Sequence, residues 1–232
     1  MNIILVGAKG KMATVVKEIA EEFDTKICYE IDKNFTKPNN NQSKYFSEIP
    51  LEIIKQTDLV LDFSTPHVLK DELVFCVKAQ LPLVICSTGH TKLDEDEILK
   101  CSKCIPIALI PNCSFGINII AKIVKNITKY LNSFDIDIIE IHHKNKMDSP
   151  SGTAKLFIDI LGNKNRTNVH SIRAGDVVGK HEIILTSKYE QITISHEAFN
   201  RKLFASGALN ICRFFNKPRS PKLYHFDDIM FI

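Results

Sequence analysis

From Asn2 to about residue 110 the chain repeats one rhythm: a short apolar run, then a stretch with apolar residues three and four apart. Ile3–Val6, Lys26–Ile31, Leu59–Ser64, Leu81–Cys86 and Ile105–Ile110 read as buried strands. Lys11–Phe23, with Met12, Val15, Val16, Ile19, Ala20 and Phe23 on one face, reads as a helix. Val68–Ala79 and Asp94–Lys100 read the same way, while polar Lys33–Ser47 predicts a loop. This alternation predicts βαβ units and a parallel sheet.

The second half is different. Ile117–Leu131 predicts a long amphipathic helix, and the alternation from Phe134 to Ile138 a half-buried strand that runs on to His143. A helix near Ala154–Leu161 follows, then antiparallel strands at His181–Leu185 and Gln191–Ser195. Leu203–Phe215 predicts a last helix before a Pro-rich tail. The expected fold is α/β, a parallel-sheet half followed by an α+β half.

Composition narrows the function classes. The 232 residues carry a formal charge of only +3, with no basic block interleaved with aromatics, so no nucleic-acid partner is expected. No run approaches the roughly 18 apolar residues needed to span a bilayer, and the start lacks signal-peptide features, so no membrane partner is expected. Seven irregularly spaced cysteines predict a reducing, cytoplasmic setting, and the lone Cys101-x-x-Cys104 has no second pair to complete a metal site.

Two segments carry chemistry. Gly7-Ala8-Lys9-Gly10-Lys11-Met12-Ala13 joins the first strand to the first helix. Gly7 permits a tight turn, Gly10 lets backbone approach a ligand, and the helix start offers N–H groups to a pyrophosphate. The spacing is G-x-x-G-x-x-A rather than G-x-G-x-x-G. Asp32, at the end of the next strand, sits where a dinucleotide domain places its ribose-binding acid. Asp32 favours NADH by repelling a 2′-phosphate, whereas Lys33 beside it favours NADPH.

The other segment is His142-His143-Lys144-Asn145-Lys146-Met147-Asp148-Ser149-Pro150-Ser151-Gly152-Thr153. Adjacent strand residues point to opposite faces, so the two histidines have different tasks. A helix opening Ser151-Gly152-Thr153 offers N–H groups and hydroxyls to an anion, and Gly152 lacks the Cβ that would keep a carboxylate away. Histidine titrates near neutrality and can donate a proton and be recharged. Such a cluster suits a small anionic substrate that must gain a proton.

The run Glu-x-His-His-x-x-Lys-x-Asp-x-Pro-Ser-Gly-Thr resembles the active-site segment of 4-hydroxy-tetrahydrodipicolinate (dihydrodipicolinate) reductases. So do Phe63-Ser64-Thr65-Pro66, Cys86-Ser87-Thr88-Gly89, Pro111-Asn112-Cys113-Ser114-Phe115-Gly116, His170–Arg173, Val178–Glu182 and Phe204–Ala208. The resemblance implies a Rossmann-type dinucleotide-binding domain from residues 1–112 and 203–232. It also implies a substrate and oligomerisation domain with a mixed sheet from residues 113–202, closing over the first, and a homotetramer. By the same analogy NADH or NADPH reduces a small dicarboxylate with loss of water, His142 donates the proton and Lys146 assists. His143, Ser151, Gly152 and Thr153 would hold the substrate carboxylates. Gly7, Ala8, Lys9, Gly10, Lys11, Met12, Asp32, Lys33, Phe63, Ser64, Cys86, Ser87, Thr88, Ile110, Pro111, Asn112 and Cys113 would line the cofactor.

Some positions depart from the family pattern. Ala13, Cys86 and Ala174 stand for usual glycines, Cys113 stands where an aromatic is common, and the linker around Gly162–Asn168 is short. Two other readings are weighed: an aspartate-type amino-acid dehydrogenase, and a nucleotide-binding sensor without chemistry. Retention of His142 and Lys146, which folding does not require, counts against the sensor.

Overall fold

The computed structural model describes residues 1–162 and 167–230, so residues 163–166 of the short linker lie outside the described residues. In chain order the elements are β1 (Asn2–Val6), α1 (Lys11–Ile19), β2 (Lys26–Ile31), β3 (Gln42–Ser43), α2 (Leu51–Gln56), β4 (Leu59–Asp62), α3 (Leu69–Ala79), β5 (Leu83–Ile85), α4 (Lys92–Cys101) and β6 (Ile107–Leu109). Next come α5 (Phe115–Ile127), β7 (Asp135–His142), α6 (Gly152–Leu161), β8 (Thr167–Arg173), β9 (Gly179–Thr186) and β10 (Gln191–Ala198). The chain ends with α7 (Lys202–Phe214), β11 (Leu223–Tyr224) and α8 (Phe226–Met230).

The chain forms two compact units: Met1–Cys113 together with the chain from Phe204 onward, and Ser114–Leu203. In the first, seven parallel strands run in the order β11-β6-β5-β4-β1-β2-β3. Both faces are covered, which is why its strands read as continuous apolar runs rather than alternations. Ile3, Leu5, Leu59 and Leu61 face Ala13 and Val16 of α1 and Ala205, Ala208 and Leu209 of α7. Ile4, Val6, Val60 and Leu83 face Leu69 and Leu73 of α3 and Ile98 of α4. Each fully buried Leu or Ile stabilises the fold by about 1.5–3 kcal/mol.

In the second unit a four-stranded mixed sheet runs β10-β9-β7-β8, with β7 and β8 parallel and the other pairs antiparallel. One face carries Ile136, Ile138, Ile183 and Leu185 onto Ile117 and Val124 of α5 and Phe157 of α6. The other face presents Ile139, Ile141 and Ile184, half-buried, and Ile172, exposed.

Five short or weakly patterned elements differ from the sequence reading. The expected loop at 33–47 contains β3, which pairs Glu30 with Gln42 and Ile31 with Ser43. The chain over Thr167–Arg173 is the edge strand β8, whose alternation of half-buried and exposed residues never becomes an apolar run. Helix α2 buries none of its six residues, so its sequence carries little of the apolar stripe by which helices are read. The Pro-rich tail yields β11 and α8, placed by Tyr224, Phe226 and Ile229 entering the core. All seven cysteines are free thiols.

Candidate functional site

In the first unit, the expected cofactor residues gather where β1, β2 and β4 end. Gly7 adopts φ +75°, and a Cβ there would lie 2.7 Å from the Phe63 carbonyl oxygen, so only glycine fits this turn. Gly10 caps α1 without a side-chain hydrogen bond, which leaves the first-turn N–H groups to the macrodipole end of the helix. Asp32 fastens the loop: its Oδ2 accepts from the Lys9 N–H at 2.9 Å and its Oδ1 from the Asn34 N–H at 2.8 Å. A carboxylate has about four acceptor sites, so two remain for ribose hydroxyls.

A cavity of about 390 Å³ lies here, lined by Gly7, Lys9, Gly10, Asp32, Lys33, Phe63 and Ser64, among others. That volume, a backbone cradle that a Cβ would fill and flanking lysines fit the adenosine-phosphate end of a dinucleotide. Ala8, fully buried, and Met12, packed against the core, support the loop rather than line this cavity, and Lys11 is exposed.

The second group of expected cofactor residues follows β5 and β6. The Ser87 hydroxyl donates to the Asp62 carboxylate and lies 3.0 Å from His90 Nε2. Asp62 Oδ1 accepts from the Ser64 N–H at 2.7 Å. Asp62 thus ties together the loops after β4 and β5, and burial pushes its pKa up. Cys86 and Cys113 turn their side chains into the core, with their sulfurs 3.3 Å apart, so these two positions have only backbone to offer a ligand. Ile110 is buried; Thr88 and Pro111 are exposed, and Asn112 is half-buried.

In the second unit, the strand end and the helix start are bound into one polar cluster. Register places Glu140 opposite Ser171 on β8 and His181 on β9, and His181 opposite His196 on β10. All four lie on the sheet face that α5 and α6 cover, with His142 two residues along from Glu140 on the same face. Glu140 is fully buried and accepts from Arg173 Nη2 at 2.8 Å, Arg173 Nη1 at 2.9 Å, the Ser151 N–H at 3.2 Å and His142 Nδ1. Burial opposes its charge, but hydrogen bonds from Arg173, Ser171 and His142 prevail and bring its pKa down to about 2.

His142 itself is 8% exposed. Burial lowers its pKa against the raising influence of Glu140, and Lys146 and Arg173 lower it further. Lys146 pairs with Asp148 at 2.7 Å on the loop between β7 and α6, which includes a cis Ser149–Pro150 bond. Arg173 steadies this loop too, donating from Nη2 to the Asp148 carbonyl at 2.6 Å and from Nε to the Lys146 carbonyl at 3.3 Å.

Ser151 caps α6, accepting from the Ala154 N–H at 3.2 Å, and its hydroxyl also meets His181 Nε2 at 3.1 Å. Its side chain is therefore committed inside the cluster. Gly152 is exposed with open space where a Cβ would stand, and Thr153 and His143 are half-buried. His181 is buried and driven to a pKa of about 3, by desolvation first and then by the charge on His142. Glu140, Arg173 and His181 lie within the family-like motifs, where the sequence assigns them no task, and Asp62 lies within an apolar strand run.

Comparison with known proteins finds one family along both halves of the chain. The family descriptions "Dihydrodipicolinate reductase, N-terminus" and "Dihydrodipicolinate reductase, C-terminus" match residues 1–113 and 116–230. A 4-hydroxy-tetrahydrodipicolinate reductase of Clostridium tetani is 38% identical over 98% of this chain and 96% of its own. One of Buchnera aphidicola is 35% identical over 99% and 96%. Among solved structures, the dipicolinate-bound dihydrodipicolinate reductase from Paenisporosarcina sp. TG-14 superposes with a TM-score of 0.82 at 18% identity, covering 99% of both chains. An aspartate dehydrogenase from Thermotoga maritima reaches 0.58 at 12% identity, covering 94% of this chain and 98% of that one, a likeness of fold alone. With both halves matched in register by one family, and relatives above 30% identity along nearly the whole length, the chain belongs to the dihydrodipicolinate reductase family.

Proposed function

We propose that this chain reduces 4-hydroxy-tetrahydrodipicolinate to tetrahydrodipicolinate, within lysine and diaminopimelate biosynthesis. In balance, one hydride and one proton enter the substrate and one water leaves. NADH or NADPH, held at the β1–α1 turn and the loops after β4, β5 and β6, supplies the hydride. His142 donates the proton and Lys146 assists, while His143, Gly152 and Thr153 meet the carboxylates and Ser151 fixes the helix start that receives them. The observation that carries this reading is the β7–α6 cluster, where a buried histidine and a lysine stand beside a helix opening with open space at Gly152.

The sheet face bearing Ile139, Ile141, Ile172 and Ile184 supports assembly into a homotetramer through the second unit. We place the enzyme in the cytoplasm, in keeping with its seven free thiols; no described helix is long and apolar enough to cross a membrane. The purified chain, given freshly made substrate, should oxidise NADH or NADPH well above background. Absence of oxidation with both cofactors would sink the proposal, and light scattering at the monomer mass would sink the tetramer.

A further inference from the structure

Glu140 and Arg173 have no role in the reaction as described, yet they form the most densely bonded charged pair of the second unit. Glu140 is fully buried, and the donors that reach it belong to the cluster: Arg173 through two nitrogens, the Ser151 N–H, His142 Nδ1 and the side chain of Ser171. An ionised carboxylate only accepts, so the ring nitrogen facing it carries a proton in both charge states of His142. Nε2 is then the atom whose protonation changes. A Cβ at position 179 would lie 3.2 Å from this Nε2, and glycine there keeps that edge of the ring uncrowded.

The other charged or titratable groups facing His142 come from three places. They are Lys146 and its partner Asp148 on the following loop, Arg173 on β8, and His181 on β9, whose ring stands edge-on at 5.1 Å. We infer that Glu140, clamped by Arg173, is a positioning residue that orients the His142 ring and fixes Nε2 as its proton-donating atom. Through the carbonyls of Lys146 and Asp148 the same guanidinium also sets the loop that carries the assisting lysine. The inference rests on the reading of His142 as the proton donor.

Three preparations test it: the wild-type enzyme, Glu140→Gln and His142→Gln. Nitrogen-15 NMR of histidine-labelled wild-type enzyme should show neutral His142, assigned by its loss in His142→Gln, protonated at Nδ1. In Glu140→Gln the alkaline limb of the kcat–pH profile should move to lower pH by about 1–3 units, the effect of losing an adjacent opposite charge. KM for the cofactor should stay unchanged. A neutral His142 protonated at Nε2, or an unmoved limb in folded Glu140→Gln, overturns the inference. Should Glu140→Gln not fold, the wild-type tautomer decides alone. If His142→Gln turns over like wild type, the proton-donor reading fails, and this inference with it.

Discussion

Asp32 accepts the Lys9 backbone N–H at 2.9 Å and so ties the end of β2 to the turn after β1. One carboxylate therefore shapes this turn and, on the proposed function, offers its remaining acceptor sites to a ribose. Replacing Asp32 by Ala removes a charged hydrogen bond, a loss of about 1.5–3 kcal/mol that should appear as roughly 10- to 100-fold in KM for NADH. Because the same contact exists before and during reaction, kcat should change little. Initial rates at varied NADH check this; a kcat loss at unchanged KM would refute it.

Two glycines make a matched pair of opposite predictions. Gly7→Ala forces a Cβ to within 2.7 Å of the Phe63 carbonyl oxygen at φ +75°, and should lower stability by about 1–3 kcal/mol. Gly152→Ala meets nothing within 4 Å, so melting should be unaffected while KM for the dicarboxylate rises. Calorimetry and steady-state kinetics on both variants test the contrast, which fails if Gly152→Ala melts early or Gly7→Ala does not.

Acid should weaken the second unit in two steps. The folded-state pKa of His181, about 3, lies below its ordinary 6.5, so the unfolded chain binds the extra proton first. Stability should therefore fall as pH drops from about 6.5 toward 3. Glu140 is also depressed, from 4.5 to about 2, and its contribution is present above 4.5 and lost on the way down to 2. His181→Gln should flatten the first slope and leave the second. Melting curves between neutral and acid pH decide; an unchanged upper slope would count against buried neutral His181.

Glu72 on α3 is fully buried with neither carboxylate oxygen bonded, and burial, then the charge of Asp62, raise its pKa well above 4.5. The sign is opposite to that of Glu140. The unfolded chain ionises first, so this group costs stability as pH rises past 4.5. Glu72→Met should stabilise the protein at pH 8 by about 1–3 kcal/mol, the usual penalty of an unsatisfied buried polar group. Equal or lower melting of that variant at pH 8 would contradict the assignment.

The parallel sheet was legible because its central strands β1, β4 and β5 bury both faces and leave apolar runs that nothing else explains. The His142–Thr153 segment was legible because its residues are contiguous. Its supports were not. Glu140, Arg173 and His181 come from three strands and meet only through the register of β7 with β8 and β9, which no local spacing encodes. Ser151 was read as a substrate contact from its place beside Gly152, while its hydroxyl is held between His181 and the α6 N-cap. Cys86 and Cys113 likewise sit in loops that read as ligand-facing, yet their thiols fill core volume.

The first sheet ends in β11, whose Leu223 and Tyr224 pair with Ile107 and Ala108 of β6, and one of its faces is roofed by α7. During synthesis, β1 to β6 leave the ribosome before either the strand or the roof has been made. Leu5, Leu59, Leu61 and Ala108 have only α1 on that face, without the cover of α7, while the whole of Ser114–Leu203 is translated. That later segment carries its own core, which is complete once residue 203 has been made. Pulse proteolysis of stalled chains should accordingly find residues 114–203 protected before residues 1–113. The order in which this protein is made is thus expected to differ from the order in which it becomes stable.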